Sequence, residues 1–560
     1  MKIKNIVKLG IIAVVVFGLI FGIVSITQNW GKSKDTVSTE SALKALSRLY
    51  NKLDVKTLTP RKDNVDLSGV NLSASLPDIS MYPFVAEPTT PDYIEIYSSP
   101  EKAGASYESW LIDVADNFNK SGVTVNGKLV SVAVRNISSG LGVDYIVSGK
   151  YKPDVFAPST ELWGDMLINK GVNVNLVEKR IAGNVAGIVL SKKKNDELIK
   201  EYGFINSGVI VEAVLNGKIA MGYTNPFVSS TGLNFLLTTL YTLDSNDPLG
   251  DDSIAQLQKF QDNIPYVAYN TMQMKESAKS GSLDGFVLEY QTYINSPDIK
   301  SAYVFTPFGV RHDQPVYEVG ELSEIKKEIT RRFIDYCKTP AMQKLASDKG
   351  FNGMDNYVYE FTKADGATIS EAQQIWKKEK SGTRDLTAVF VADVSGSMDG
   401  EPLIKLKESL DSAAKYIVPE THVGLVTFSD NVNIALPIAK FDLNQRSYFT
   451  GAVKDMQAGG GTAMFDAIIV ATKMLADAQA QNPNTKLMLF VLTDGETNRG
   501  NTLNDVEGIL RNLKIPIYTI GYNANISVLQ NLSNINEAAS INAETDDVIY
   551  KLESLFNAQM

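Results

Sequence analysis

The chain of 560 residues contains one cysteine, Cys337, and two histidines, His312 and His422. One cysteine cannot close an intrachain disulfide, and two histidines exclude a multi-histidine zinc centre. Cys337 ends the helix-like run 332–337, where a small apolar core filler is expected, and His422 opens an apolar strand and reads as structural. Excess positive charge is also lacking. Lys and Arg total 54 against 64 Asp and Glu, for a net charge of −10 and a pI near 5.1. That argues against nucleic-acid binding, because phosphate contacts require clustered Lys and Arg. There is no nucleophile elbow and no Cys–His pair, and Gly459-Gly460-Gly461 lacks the Lys that would follow in a phosphate-binding loop. What is present is ordinary for folded domains: 44% hydrophobic and 21% charged residues, enough apolar surface for more than one core and a length that suggests two to four domains.

A long apolar run occurs only once. Residues 9–26 carry no charge and follow Lys2, Lys4 and Lys8. At about 1.5 Å per residue the run spans roughly 27 Å, close to the hydrocarbon thickness of a bilayer. The lysines place residues 1–8 in the cytoplasm and the bulk of the chain outside it, as a single-pass cell-membrane protein. A cleaved signal peptide is the alternative. The length of the run and the lack of a convincing cleavage site after it favour an uncleaved anchor.

Residues 27–91 read as an extracytoplasmic stalk, with a short amphipathic helix over 41–53 and prolines at 77, 83, 88 and 91 that forbid helix continuation. Over 92–355, strand-like segments (93–97, 129–134, 154–157, 186–190, 219–223) alternate with helical ones such as 107–118, a βαβ rhythm that predicts a mostly parallel sheet. Residues 356–384 read as a linker containing a helix over 370–380. A second alternation covers 385–560, with strands expected at 386–393, 423–428, 432–437, 486–493 and 516–521, and helices at 402–416, 463–479, 503–513 and 544–556.

Three separated segments of this last region share a character. The apolar run 388–392 ends in Asp393-Val394-Ser395-Gly396-Ser397, Gly459-Gly460-Gly461 precedes Thr462, and the apolar run 488–492 ends in Thr493-Asp494-Gly495. Carboxylates and hydroxyls at strand ends suit a hard divalent cation, which takes oxygen ligands. In this order the segments resemble the metal-ion-dependent adhesion site of a von Willebrand factor type A (VWA) domain. The resemblance covers about 175 residues and departs at 538–542, which lack the glycines common before the last helix of that family. It implies a doubly wound, Rossmann-like α/β fold and a metal held by Asp393, Ser395, Ser397, Thr462 and Asp494. The resemblance implies that the three hydroxyls touch the ion directly and that one or both acids act through water. The ion implied is Mg²⁺, with Mn²⁺ or Ca²⁺ as alternatives. Neutral hydroxyls leave the ion charge and a free position that an acidic group of a protein partner completes. Asp466, at a helix start, is expected to brace these loops from behind. Asp399 and Asp430, on loops near the same face, read as solvated carboxylates.

Residues 92–355 resemble a type 2 periplasmic (solute-binding) domain, a two-lobed α/β receptor fold. The resemblance rests on Tyr97-Ser98-Ser99-Pro100, on 221–226 and on Ser229-Ser230-Thr231-Gly232, together with the terminal pieces 333–343 and 349–351. Free N–H groups at helix starts bind anions. Ser98, Ser99, Ser138, Ser139, Ser230 and Thr231 lie at such junctions, which suggests a small-molecule or oxyanion ligand. Plain helix capping explains the same residues one at a time. Arg311-His312-Asp313 and Glu289-Tyr290 either face the cleft or lie exposed beside it.

The expected function is that of a surface-anchored interaction protein acting through the metal site, with a membrane-tethered solute receptor or sensor as the alternative. An enzyme is not expected. Asp393 and Asp494 leave water activation at a metal as the one catalytic route, and the hydroxyl-rich set suits ligand capture better.

Overall fold

The computed structural model describes residues 38–65, 76–278, 283–359, 361–495, 497–522, 526–533, 535, 540–542 and 555–556. The expected cytoplasmic tail and anchor (1–26), and most of the expected last helix, lie outside these residues. No helix among the described residues is long and apolar enough to cross a membrane.

The structure is α/β throughout, built on three large mixed sheets. The C-terminal sheet has seven strands in the order Val55–Thr57, Val432–Lys440, His422–Phe428, Leu386–Asp393, Lys486–Thr493, Ile517–Gly521 and Ser540–Asn542. Its two central strands, Leu386–Asp393 and Lys486–Thr493, are parallel neighbours and almost wholly buried. Unbroken apolar runs of this kind belong where helices cover both faces of a sheet, and the helices Glu401–Ala414, Leu443–Asp455, Met464–Gln481 and Leu503–Leu513 belong to this layer. The departure from glycine at 538–542 does not prevent an edge strand: Ser540–Asn542 pairs in parallel with 519–521.

The first strand of this sheet comes from a distant part of the sequence. Val55–Thr57 pairs with 432–434, and the preceding helix Thr39–Tyr50 buries Ala42 and Leu46. Leu46 joins the same core as Ile468 and Leu489. Downstream, Asp63 N–H donates to Ser447 O at 3.1 Å, and Arg61 pairs with Asp455 at 2.8 Å. Residues 39–63 are therefore part of the C-terminal domain, where an extended stalk was expected. The apolar stripe of an amphipathic helix needs a partner surface, and here the partner lies some four hundred residues away in the chain.

The middle region forms two lobes. One holds six strands in the order Phe84–Ala86, Ser131–Asn136, Tyr93–Ser98, Val155–Ala157, Val316–Val319 and Val174–Glu178; the other holds Tyr266–Ala268, Met221–Thr224, Gly285–Glu289, Ala186–Ser191 and Tyr303–Phe308. Each sheet mixes directions: 186–191 runs antiparallel to both of its neighbours, and 316–319 antiparallel to both of its own. These are the strands reached as the chain passes between lobes, so the expectation of a mostly parallel sheet holds only within each lobe's core. Cys337 is buried in the first lobe's core, as expected. The segment expected as a linker is also packed. The helix Gly366–Glu379 lies against Leu162–Asn169 of one lobe and against Ser230–Leu243 and Asp251–Asp262 of the other. Trp376 is fully buried and donates to Tyr223 Oη at 2.5 Å.

Candidate functional site

The strand Leu386–Asp393 places Asp393 at its carboxyl end, and its neighbour Lys486–Thr493 places Thr493 at the same level. Asp393 is wholly buried. Its Oδ2 accepts from Thr493 Oγ1 at 2.5 Å and its Oδ1 from Ser395 N at 2.8 Å. Burial pushes its carboxyl up to about 6, against the Ser395 and Thr493 bonds that favour the charged form, and Asp494 adds to the rise. Asp494 is therefore close enough to act on Asp393 electrostatically.

The chain then turns so that Ser395 Oγ and Ser397 Oγ lie 3.1 Å apart. The glycine loop is clamped to this turn: Gly396 N donates to Gly460 O at 3.0 Å and Gly459 N to Val394 O at 2.9 Å. Gly460 has φ +84°, and a Cβ there would sit 2.6 Å from Asp430 Oδ2, so both backbone sign and space demand glycine. Thr462 follows, 3% exposed. Its N–H donates to Asn498 Oδ1 at 2.9 Å and its carbonyl accepts from Asn498 N and Arg499 N, while no described residue hydrogen-bonds its hydroxyl. Backbone contacts thus bring the three segments together. Asp466 accepts from Asn501 N at 2.9 Å and Nδ2 at 2.6 Å, bracing the loop that carries Asn498. Asp430 is not a free loop carboxylate: it accepts from Gly461 N and pairs with Arg499 at 2.9 Å. The sequence marked Thr493 as part of the strand end but not its bond to Asp393, and Asn498 and Arg499 were not anticipated.

The spacing of the two serine hydroxyls fits adjacent ligands of a six-coordinate cation. Two oxygens at right angles around an ion at about 2.1 Å lie about 3 Å apart, and the two serine hydroxyls are separated by that distance. Asp393 has both oxygens engaged, which suits a role through water. Among the described residues no group of three or more His, Cys, Asp or Glu could hold a metal, so a carboxylate cage is not an alternative here.

A second concentration of polar groups lies between the lobes of the middle region. A cavity of about 50 Å³ is lined by Ser99, Ser138, Ser139, Ser159, Ser229, Ser230 and Thr231 with Glu101, Glu108 and Glu289. Five of the six hydroxyl residues expected there line it; Ser98, buried at its strand end, does not. Capping is not their work. Ser99, Ser138 and Ser229 are N-caps whose side chains make no cap bond. Ser99 Oγ instead meets Lys102 Nζ and Glu101 Oε1, both at 2.6 Å, and Ser138 Oγ is buried without a partner. The lobes touch across this floor: Ser230 Oγ donates to Ser139 Oγ at 3.2 Å and accepts from Trp163 Nε1 at 2.8 Å. A Cβ on Gly140 would meet Phe227 O at 2.1 Å.

Glu289, one of the residues expected either to face the cleft or to lie beside it, lines the cavity, whereas Glu101, Lys102 and Glu108 were not anticipated there. Lys102 is fully buried with Nζ 3.6 Å from Glu101 and donating to Ala157 O and Gln314 Oε1, both at 2.8 Å. Burial raises the Glu101 carboxyl, but Lys102 and the Ser99 and Ser159 hydroxyls outweigh it and hold it below its ordinary value. His312, far from an exposed loop position, is fully buried with Nδ1 2.8 Å from Glu289 Oε1. Burial disfavours its charge, yet Glu289 prevails and raises the imidazole. Thr231 Oγ1 and Asn184 Nδ2 also donate to Glu289, at 2.9 and 2.5 Å. Among the described residues none donates a hydrogen bond to the Glu108 carboxylate or forms an ion pair with it, and burial, with Glu101 and Glu289 adding to the rise and Lys275 opposing it, pushes its carboxyl up to about 7.

Residues 102–352 match the family described as bacterial extracellular solute-binding protein, and 388–558 match the von Willebrand factor type A domain. The inter-alpha-trypsin inhibitor heavy chain H3 of Bos taurus is 28% identical over 160 residues, covering 26% of this chain and 18% of that protein. Collagen alpha-6(VI) of Homo sapiens is 24% identical over 205 residues, covering 35% and 9%. The chain thus spans about a fifth or less of these relatives. Among solved structures, the sulfate-binding protein SubI of Mycobacterium tuberculosis H37Rv is 18% identical, covering 47% of this chain and 88% of that one at a TM-score of 0.34. A von Willebrand factor type A protein of Catenulispora acidiphila is 18% identical, covering 31% and 42% at a TM-score of 0.28. A solute-binding domain followed by a VWA domain is what the chain carries.

Proposed function

We propose that this is a membrane-held, extracytoplasmic interaction protein that captures an acidic group of a protein partner through a divalent cation, Mg²⁺ or else Mn²⁺ or Ca²⁺, at the loops of its VWA domain. The observation that carries this reading is the pair of serine hydroxyls 3.1 Å apart above a buried aspartate, with the unbonded Thr462 hydroxyl on the adjoining loop. Bound there, the cation supplies positive charge and an open coordination position. The chain does the rest: Asp393 orients Ser395 through its N–H, Thr493 fixes Asp393, and the Gly396–Gly460 bond sets the loop spacing. Arg499, 61% exposed, adds a positive group to the rim that suits an acidic partner. The test is capture on intact cells by crosslinking in Mg²⁺ and in EDTA. Asp393→Ala should abolish the Mg²⁺-dependent captured species while the domain stays folded. Capture that survives both the substitution and the chelator overturns the proposal.

A second reading, a tethered solute receptor or sensor, is favoured by the helix-start hydroxyls that cap nothing and line the interlobe cavity. An oxyanion is a poor fit to that cavity, because three carboxylates share it. We propose a binding role for both domains and no enzymatic activity.

A further inference from the structure

Resting on the reading that the interlobe cavity takes a solute, we propose that its ligand is a small protonated amine, ammonium or a short primary alkylammonium, held against Glu108. Two of the three carboxylates in the cavity are already matched: Glu101 by Lys102 at 3.6 Å and Glu289 by His312 at 2.8 Å. Glu108 is the remainder. It is 8% exposed, it lines the cavity, and no described residue donates a hydrogen bond to its carboxylate or pairs with it. Buried polar groups are ordinarily satisfied, and an ionised carboxylate out of water is costly unless a cation or donors meet it. The missing partner is therefore a cation that brings its own donors.

The chemistry around Glu108 narrows that cation. An oxyanion would set like charge against it. A divalent metal would need several anionic or imidazole ligands in reach, and among the described residues no such group exists. An ammonium group needs one counter-charge and several neutral acceptors, and the hydroxyl oxygens of Ser138, Ser229, Ser230 and Thr231 line the same space. Ser138 Oγ in particular is buried with no partner of its own. The volume of about 50 Å³ is several times the roughly 10–15 Å³ of free space that one water needs, so the cavity has room for a small alkylammonium ion.

The experiment is calorimetric titration of the full chain with methylammonium chloride at constant ionic strength, with sodium chloride, tetramethylammonium chloride and sodium sulfate as separate titrants. Saturable binding of methylammonium alone is expected, weakened at least tenfold by Glu108→Gln and measurably by Ser138→Ala, which keeps the test open if the first variant folds poorly. Methylammonium binding that neither substitution changes overturns the proposal. Saturable sulfate binding, tightened by Glu108→Gln, also overturns it while leaving the receptor reading intact. Silence of the wild-type chain to every titrant removes both.

Discussion

At the strand-end loops of the C-terminal sheet, Ser395 and Ser397 lie beside the buried carboxylate of Asp393, with Thr462 on the adjoining loop; in the cleft, Ser99, Ser138, Ser139, Ser230 and Thr231 stand among three carboxylates, a lysine and a histidine. Both sites use hydroxyls at strand-to-helix junctions, and hydroxyls alone do not say what a site takes. The charges beneath them do. The loop site leaves its hydroxyls open to a strong external cation that can in turn recruit an anion. The cleft has already neutralised most of its charge internally through Lys102 and His312, and what remains is one weakly acidic group. The first arrangement suits a macromolecular contact at an exposed face, the second a small solute in a partly enclosed cavity.

Four substitutions sharpen or break this contrast. Trp376→Ala should have the largest effect. Loss of a fully buried tryptophan costs about 3–5 kcal/mol, and because Trp376 packs with Tyr223 and Phe227 the loss should fall on the middle domain, lowering its denaturant midpoint while metal binding at the loops is unchanged. Equal loss in both domains would mean that they unfold as one unit. Thr493→Val removes the hydroxyl that donates to Asp393, and loss of such an outer hydrogen bond should weaken Mn²⁺ affinity by about 10–100-fold, read by titration, with the cleft unaffected.

Glu108→Gln should act on stability in a pH-dependent way. The carboxyl, facing Glu101, Lys275 and Glu289, sits at about 7 in the folded chain against an ordinary 4.5. Below that ordinary value both states hold the proton and the group is neutral in effect. As pH rises, the unfolded chain releases the proton first, so stability falls until the folded group has also ionised. The amide variant should therefore be more stable by about 3 kcal/mol above pH 8 and little changed below pH 4; a pH-independent effect in thermal unfolding would contradict this account. Arg499→Ala should be smallest. The Arg499–Asp430 pair is exposed, so its stability contribution is below about 1 kcal/mol. Capture of an acidic partner should nevertheless decline by a few-fold, and by less at high salt.

Much of the loop site was legible because its information is local. The runs ending at Asp393 and Thr493 are buried apolar strands with their functional residues at the tips, and the strands and helices around them fall within a few residues of expectation. The helix Leu443–Asp455 escaped because its sequence, with Gly451 and few apolar residues, has little helical periodicity. The cleft was less legible for a non-local reason. Glu101 and Lys102 are sequence neighbours with no local sign of burial, and Lys102 is held inside by Ala157 O and Gln314 Oε1, 55 and 212 residues further along the chain. The docking of 39–57 on a sheet formed near residue 430 is the same problem at longer range: the amphipathic helix could be read, its destination could not.

That docking decides where a pull would be felt. A force applied between residue 38 and a partner held at the metal loops runs through the helix Thr39–Tyr50, the strand Val55–Thr57 and the seven-stranded sheet. The two lobes hang outside this line as a side loop of the chain. Mechanical load on such a contact would be borne by the outermost strand and its few hydrogen bonds, with the cleft outside the loaded path.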